Sequence, residues 1–288
     1  MEHKPVLVNE ILEIFKRLDK GIIVDCTLGL GGHSKELAKN FKIIGVDRDE
    51  KAIEKAGENL KEYKNIIYVH DNFVHLRKIL DKLKIKEADG ILLDLGVSSY
   101  QLEDEKRGFG FSGKLDMRED SSQDLTAEKI VNEYSEEELA RILYEYGEKV
   151  FARAIARNIV EAREKVRIEK AEQLLGIIKS GMPPRYRFSR KGHWATPSFR
   201  ALRIEVNKDI ENLKIFLGSF LNCLRKEGII AVISFHSIED RIIKNKFKEL
   251  AKEKKIELLM KKPVVAGEEE IKTNRKAKRA KLRAAKKI

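Results

Sequence analysis

Four short apolar runs, each finishing at or beside an aspartate, limit the folds open to this chain: residues 22–26, 41–47, 66–71 and 90–95, with Asp25, Asp47, Asp71 and Asp94 at their ends. Apolar residues on consecutive positions, not alternate ones, call for strands covered on both faces. Between the runs, Ala52, Ile53, Ala56, Leu60 and Tyr63 recur at helical spacing, as do Leu76, Ile79, Leu80 and Leu83. Strand and amphipathic helix in alternation predict a doubly wound α/β sheet, parallel over these strands.

The next comparable strand is expected at 228–235, too far along for a single crossover helix to fill the gap. The intervening stretch reads as helix throughout. Ser135 and Glu138 make a capping box ahead of Leu139, Ile142, Leu143 and Tyr146. Phe151, Ile155, Ile159 and Ala162 line a second helix; Ala171, Leu174, Leu175 and Ile178 line a third that stops at Gly181, before Pro183 and Pro184. These stripes predict a small helical core. A basic, aromatic loop at 185–194 follows, carrying Tyr186, Phe188 and Trp194 among arginines, and one long helix over 198–225 should return the chain to the sheet. The expected domains are therefore 1–124 with 196–288 as the sheet domain and 125–195 as an inserted, all-helical substrate-recognition domain. A helix at 239–252 and a strand at 256–261 come next. From Lys272 to the end there are nine Lys or Arg and no acid, which fits a phosphate-binding arm or a solvated end, with 280–283 as an alternative last strand.

Composition narrows the partners more than the fold. The net charge of +12 favours a polyanion such as nucleic acid. Cys26 and Cys223 are far apart and without metal-ligand spacing, so neither a zinc site nor a disulfide framework is expected. No apolar stretch is long enough for a bilayer, and the charged start does not resemble a secretion signal, so the expected address is the cytoplasm. A homodimer is compatible with the sequence, which itself sets no oligomeric state.

Chemistry concentrates where strands end. The turn Asp25-Cys26-Thr27-Leu28-Gly29-Leu30-Gly31-Gly32-His33 leaves the first strand and opens a helix, the arrangement that lets a ligand approach backbone closely. Its glycine spacing departs from the dinucleotide fingerprint, which disfavours a nicotinamide oxidoreductase. Asp47, at the end of the second strand, suits a pair of ribose hydroxyls. Asp71-Asn72-Phe73 offers polar groups and a ring to an adenine, and Asp94-Leu95-Gly96 would lie beside a cationic sulfonium. Together these predict a methyl-donor site.

Several further stretches carry a resemblance to a known family: His3-Lys4-Pro5-Val6-Leu7, Gly45-Val46-Asp47-Arg48-Asp49, Asp94-Leu95-Gly96-Val97-Ser98-Ser99 with Gln101, and Arg107-Gly108-Phe109. Leu115-Asp116-Met117-Arg118, Ala201-Leu202-Arg203-Ile204-Glu205-Val206-Asn207 and Ile233-Ser234-Phe235-His236-Ser237 with Glu239-Asp240-Arg241 extend it nearly end to end. The chain resembles the bacterial ribosomal RNA small-subunit methyltransferase H (MraW) family, which methylates N4 of a cytidine in the decoding region of 16S rRNA. The resemblance implies a Rossmann-like class I methyltransferase sheet and S-adenosylmethionine as cofactor. It implies donor contacts from Gly31, Gly32, His33, Asp47, Phe73, Asp94 and Gln101, and 16S rRNA or the small ribosomal subunit as partner. Trp194 and the run Thr196-Pro197-Ser198-Phe199-Arg200 depart from the family's usual residues, which touches the expected RNA loop and not the donor site.

Asp94 or a nearby backbone carbonyl is the candidate to polarise the target amine, the alternative being that Asp94 serves only the cofactor, with Ser98, Ser99, Asp116 and His236 as other lining residues. The competing reading is an RNA-binding ribosome-assembly factor that keeps a donor pocket without using it.

Overall fold

The computed structural model describes residues 5–189 and 192–288, without the side chain of Ser99; His3, Lys4, Arg190 and Lys191 lie outside the described residues. Two units emerge, the first comprising 1–96 with 211–288 and the second 97–210.

The first unit is a seven-stranded sheet. Its strands are β1 (Ile22–Asp25), β2 (Lys42–Asp47), β3 (Ile66–His70), β4 (Ala88–Asp94), β5 (Leu224–Ser234), β6 (Ile256–Leu258) and β7 (Lys281–Lys287). They stand in the order β3-β2-β1-β4-β5-β7-β6. All pairings from β3 to β5 are parallel, whereas β7 runs antiparallel to both β5 and β6. Successive side chains on a strand face opposite sides, and here both sides are core. Val24, Ile44, Val46, Ile91, Leu93, Ile230 and Val232 enter one apolar cluster, with Leu76, Phe216 and Phe247 from covering segments. Their neighbours Ile23, Ile43, Leu92, Ile229, Ala231 and Ile233 enter another, with Ile11, Phe15 and Leu37. This is the physical reason the runs lack alternation.

The doubly wound sheet agrees with the class expected from sequence; four details differ. The helix expected over 198–225 is two helices, Thr196–Asn207 and Asp209–Ser219, broken at Lys208, whose φ is +51°. The first half buries Phe199, Leu202 and Val206 in the second unit, while the second half buries Leu213, Phe216 and Leu217 against the sheet. The strand expected at 256–261 is reduced to three residues. The stretch 185–194 is not all loop, since Pro184–Ser189 is helical.

The basic end, finally, is not arm or solvated end throughout: the alternative last strand at 280–283 forms as β7, which inserts between β5 and β6 and buries Leu282, Ala284 and Ala285. Its cations are used internally. Arg283 Nε donates to Asp240 at 2.7 Å, Lys281 lies 3.3 Å from the same carboxylate, and Lys286 pairs with Glu227 and Glu257.

The second unit has its own core, and it is wider than the expected 125–195 at both ends. Phe109, Leu115 and Met117 before it, and Phe199, Leu202 and Val206 after it, pack with Leu139, Ile142, Ile155, Leu174 and Ile178. The predicted capping box forms as read: Glu138 N donates to Ser135 Oγ at 3.2 Å, and Ser135 N to Glu138 Oε2 at 2.8 Å. The ends of the unit are stitched by Asn207, whose side chain accepts from Glu119 N at 2.8 Å and donates to the Met117 carbonyl at 2.7 Å.

Because β7 is internal to the sheet, a chain ending at Ala280 should lose cooperative unfolding altogether, not merely an RNA contact. Circular dichroism through a thermal ramp checks this; a two-state melt within a few degrees of the full chain would contradict it.

Candidate active site

The parallel order places the carboxyl ends of β1, β2 and β4 on one edge of the sheet, the edge where such folds bind ligands. Asp25, Asp47 and Asp94 each end a strand there. Their surroundings separate their roles. Asp25 is 1% exposed and structural: it accepts from Ser34 Oγ at 2.7 Å and from Thr27 N at 3.3 Å. Burial raises its pKa, against the opposing pull of His33. Asp47 is held by two amides, Gly29 N to Oδ2 at 2.7 Å and Asp49 N to Oδ1 at 2.9 Å.

The glycine turn runs from β1 into a short helix, Gly32–Leu37. Gly31 is its N-cap at φ +82°, and a Cβ there would lie 2.4 Å from Leu60 Cδ1. A Cβ on Gly32 would meet the Pro5 ring at 3.0 Å. A side chain at either position would have to displace its neighbour, and at Gly31 the left-handed backbone disfavours one as well.

His33 sits in the first turn of that helix, 6% exposed, bridging two segments. Its Nε2 is 2.8 Å from the Val6 carbonyl, and its Nδ1 is 3.6 Å from Asp94 Oδ2. Asp94 is fixed through its backbone, whose amide donates to Thr27 Oγ1 at 2.6 Å. Its Oδ1 is buried without a hydrogen-bond partner among the described residues. Burial pushes the Asp94 carboxyl up to about 6; the His33 ring pulls it down, Asp25 pushes it up, Lys276 pulls it down and Glu239 pushes it up. Glu239 itself is buried, accepting from Phe235 N at 3.0 Å and His236 N at 3.3 Å as the capping partner of the helix Ser237–Lys252.

The structure therefore brings Gly31, Gly32, His33, Asp47 and Asp94 into one unit on consecutive strand ends and the turn between them. Phe73 belongs to that unit as well, but its ring is 7% exposed and packs edge-on to Phe216, 5.5 Å between centroids. Gln101 lies in the second unit, and its Oε1 accepts from Ser98 N at 2.9 Å in the capping box of the helix Ser99–Glu103. Of the other lining candidates, Asp116 is engaged by Arg118 through both carboxylate oxygens, at 2.9 Å each. The Ser99 side chain lies outside the described residues. Sequence reading missed Val6, Thr27, Glu239 and Lys276. Thr27, Val6 and Glu239 stand within quoted stretches but without a role read for them, and Lys276 reaches the site only by tertiary packing.

The strand order, the glycine turn and the carboxyl-edge acids define a class I methyltransferase. Comparison with known proteins agrees, and the chain belongs to the MraW methylase family, whose profile matches residues 1–288. The protein named ribosomal RNA small subunit methyltransferase H from Clostridium botulinum (strain Kyoto / Type A2) is 44% identical over 308 aligned positions, covering 100% of this chain and 99% of the relative. Proteins of the same name are 47% identical in Persephonella marina, with 100% of both chains covered, and 42% identical in Halothermothrix orenii, with 100% and 99% covered. The protein is a methyltransferase, and S-adenosylmethionine is its methyl donor. The residues at the strand ends fit that donor: carboxylates on the ligand-binding edge, a glycine turn with left-handed backbone at Gly31, and one buried Asp94 oxygen lacking a partner among the described residues. Among the described residues no helix is long and apolar enough to cross a membrane, and no His, Cys, Asp or Glu group is arranged for a metal.

Two outcomes follow from this geometry. An acid whose folded-state pKa lies above its ordinary 3.8 favours folding while protonated and costs stability as pH rises from there through about 6. Asp94→Asn should therefore stabilise the protein by about 3 kcal/mol at pH ~8 and by almost nothing near pH ~4, as read by urea denaturation at the two pH values. Gly31→Ala should cost at least about 1–2 kcal/mol from the left-handed backbone alone, before Leu60 moves, in the same assay.

Proposed function

We propose that this enzyme transfers a methyl group to N4 of a cytidine in the decoding region of 16S rRNA. The supporting observation is Asp94, a carboxylate at the end of β4 with one buried oxygen free to accept a hydrogen bond. Family membership over the full chain, with relatives named for small-subunit ribosomal RNA, supplies the substrate class. A cytoplasmic address goes with that substrate.

The exocyclic amine of cytosine is a weak nucleophile because its lone pair is delocalised into the ring. Asp94 Oδ1 can accept a hydrogen bond from one N–H, restoring electron density to the nitrogen, and can take the proton released when the N–C bond forms. Its pKa of about 6 leaves it largely ionised at neutral pH yet basic enough for that role. When bound, S-adenosylmethionine supplies an electrophilic methyl group on a sulfonium. Asp47 would hold the ribose hydroxyls, the Gly31–Gly32 backbone would admit the donor's polar chain, and His33 would hold Asp94. Phe73 would contribute from the core, beneath the donor's base. Gln101, whose Oε1 serves the helix cap, would be a donor contact on the family resemblance alone. Holding the amine in line can supply several kcal/mol, up to about 7–11 for ideal alignment.

The RNA contacts we assign to the helical unit, with one change from the sequence expectation. Tyr186 donates to Glu148 at 2.8 Å and packs against Phe151, and Trp194 is partly buried beside His193. Phe188 remains, 84% exposed, with the Arg187 guanidinium 6.0 Å from its ring and Arg185 exposed nearby in the same short helix. An exposed ring flanked by cations suits stacking on an unpaired base.

The test is incubation with labelled S-adenosylmethionine and small ribosomal subunits from a strain lacking the modification, followed by nucleoside analysis. N4-methylcytidine is expected; donor binding without transfer would overturn the proposal in favour of an assembly factor. Phe188→Ala should weaken RNA binding by about 1–3 kcal/mol and leave donor affinity unchanged. Asp94→Asn should retain measurable donor binding while turnover falls by about 10²–10⁴.

A further inference from the structure

The contacts of His33 leave its tautomer no choice. A carbonyl oxygen only accepts, so the 2.8 Å bond to Val6 requires Nε2 to carry a hydrogen. In the neutral ring Nδ1 is then a bare lone pair, and it faces Asp94 Oδ2 at 3.6 Å in a setting almost closed to water, with His33 6% and Asp94 20% exposed. Two electron pairs opposed at that range repel one another unless a proton resides on one of them. The acids around the pair add to the demand: Asp25 on β1 and Glu239 on the Ser237–Lys252 helix both face Asp94, against one ammonium, Lys276, from the segment Arg275–Arg279. The other Asp94 oxygen has no donor among the described residues.

We infer that in mildly acidic solution the donor-free His33–Asp94 pair takes up one proton, whichever atom holds it, and that a cationic group of the methyl donor takes that proton's place. The balance is simple: enzyme bearing the proton plus donor cation gives the complex plus one proton released to solvent, with no change of oxidation state. The pair thus acts as a charge-matched receptor that prefers a cation to none, with Val6 as the positioning group that fixes the ring. The inference rests on the donor site described above, and donor binding itself, read in the same titration, tests that site separately.

Two donor cations share this chemistry, the sulfonium and the amino-acid ammonium, and three probes separate them. S-adenosylmethionine carries both, S-adenosylhomocysteine only the ammonium, and 5′-methylthioadenosine neither. Calorimetric titration of the full chain in buffers of different ionisation enthalpy reads protons released per molecule bound. Near pH 6 S-adenosylmethionine should release about half a proton, and its affinity should weaken by up to about tenfold per pH unit below that point. Release by S-adenosylhomocysteine equal to that of S-adenosylmethionine assigns the effect to the ammonium; a smaller release assigns it to the sulfonium. No release with S-adenosylmethionine, or an equal release with 5′-methylthioadenosine, overturns the inference.

Nitrogen-15 shifts of the free enzyme give an independent readout, since Nε2 of His33 must be the protonated type; a hydrogen on Nδ1 alone would overturn the assignment. His33→Gln keeps a donor for Val6 and loses the face toward Asp94, so it should retain the thermal midpoint while its proton release falls. His33→Asn, which cannot reach Val6, should lower the midpoint. The wild-type titrations stand without either variant.

Discussion

Taking a carboxylate out of water is costly unless donors replace the lost hydration, and that constraint organises the edge of this sheet. Three adjacent parallel strands deliver Asp25, Asp47 and Asp94 to one side. Ser34 and Thr27 satisfy Asp25, and two backbone amides satisfy Asp47. Asp94 receives no such complement: one oxygen faces a histidine and the other is left without a donor among the described residues. The folded protein tolerates this in the one place where an incoming cation and an amine hydrogen can supply what is missing. Structural and chemical carboxylates are thereby distinguished by their partners, not by their position in the sequence.

The segments that hold the site come from both ends of the first unit. Val6 reaches His33 from the start of the chain, and the next residue's amide donates to Glu270 at 2.8 Å, joining it to the C-terminal stretch that also provides Lys276. That stretch is anchored in turn by β7, whose Arg283 and Lys281 meet Asp240 in the helix that follows β5. Burial acts to raise the Asp240 pKa and is outweighed by these two cations, which hold it lowered. A run of basic residues that looks like a polyanion-binding tail thus spends its last four cations in the closing strand, while Lys272, Arg275, Lys278 and Arg279 stay exposed before it.

The helical unit shows the same economy with its aromatics. Tyr186 and Trp194 of its basic stretch are committed to packing or to a hydrogen bond, while Phe188 is presented outward. Arg107, only 9% exposed, is likewise internal, donating to the carbonyls of Arg118 at 2.7 Å and Glu119 at 3.0 Å.

Much of this was legible in the sequence because it depends on local pattern. Consecutive apolar residues at Ile43 and Ile44, or at Ile91, Leu92 and Leu93, announce strands with two covered faces, and Ser135 with Glu138 announces a helix start whatever surrounds it. Asp47, Asp94 and the Gly31–Gly32 turn could be picked out since strand ends and tight turns leave marks within a few residues. What packing alone decided is of a different kind. Lys208 breaks a pattern that is helical on both sides, because Val206 and Leu213 serve separate cores. The segment 281–287 became a strand because an edge of β5 was open to it, an edge no local pattern reveals. His33 acquired its role from Val6 and Asp94, residues 27 and 61 positions away, and only the fold brings a carbonyl, a ring and a carboxylate into line.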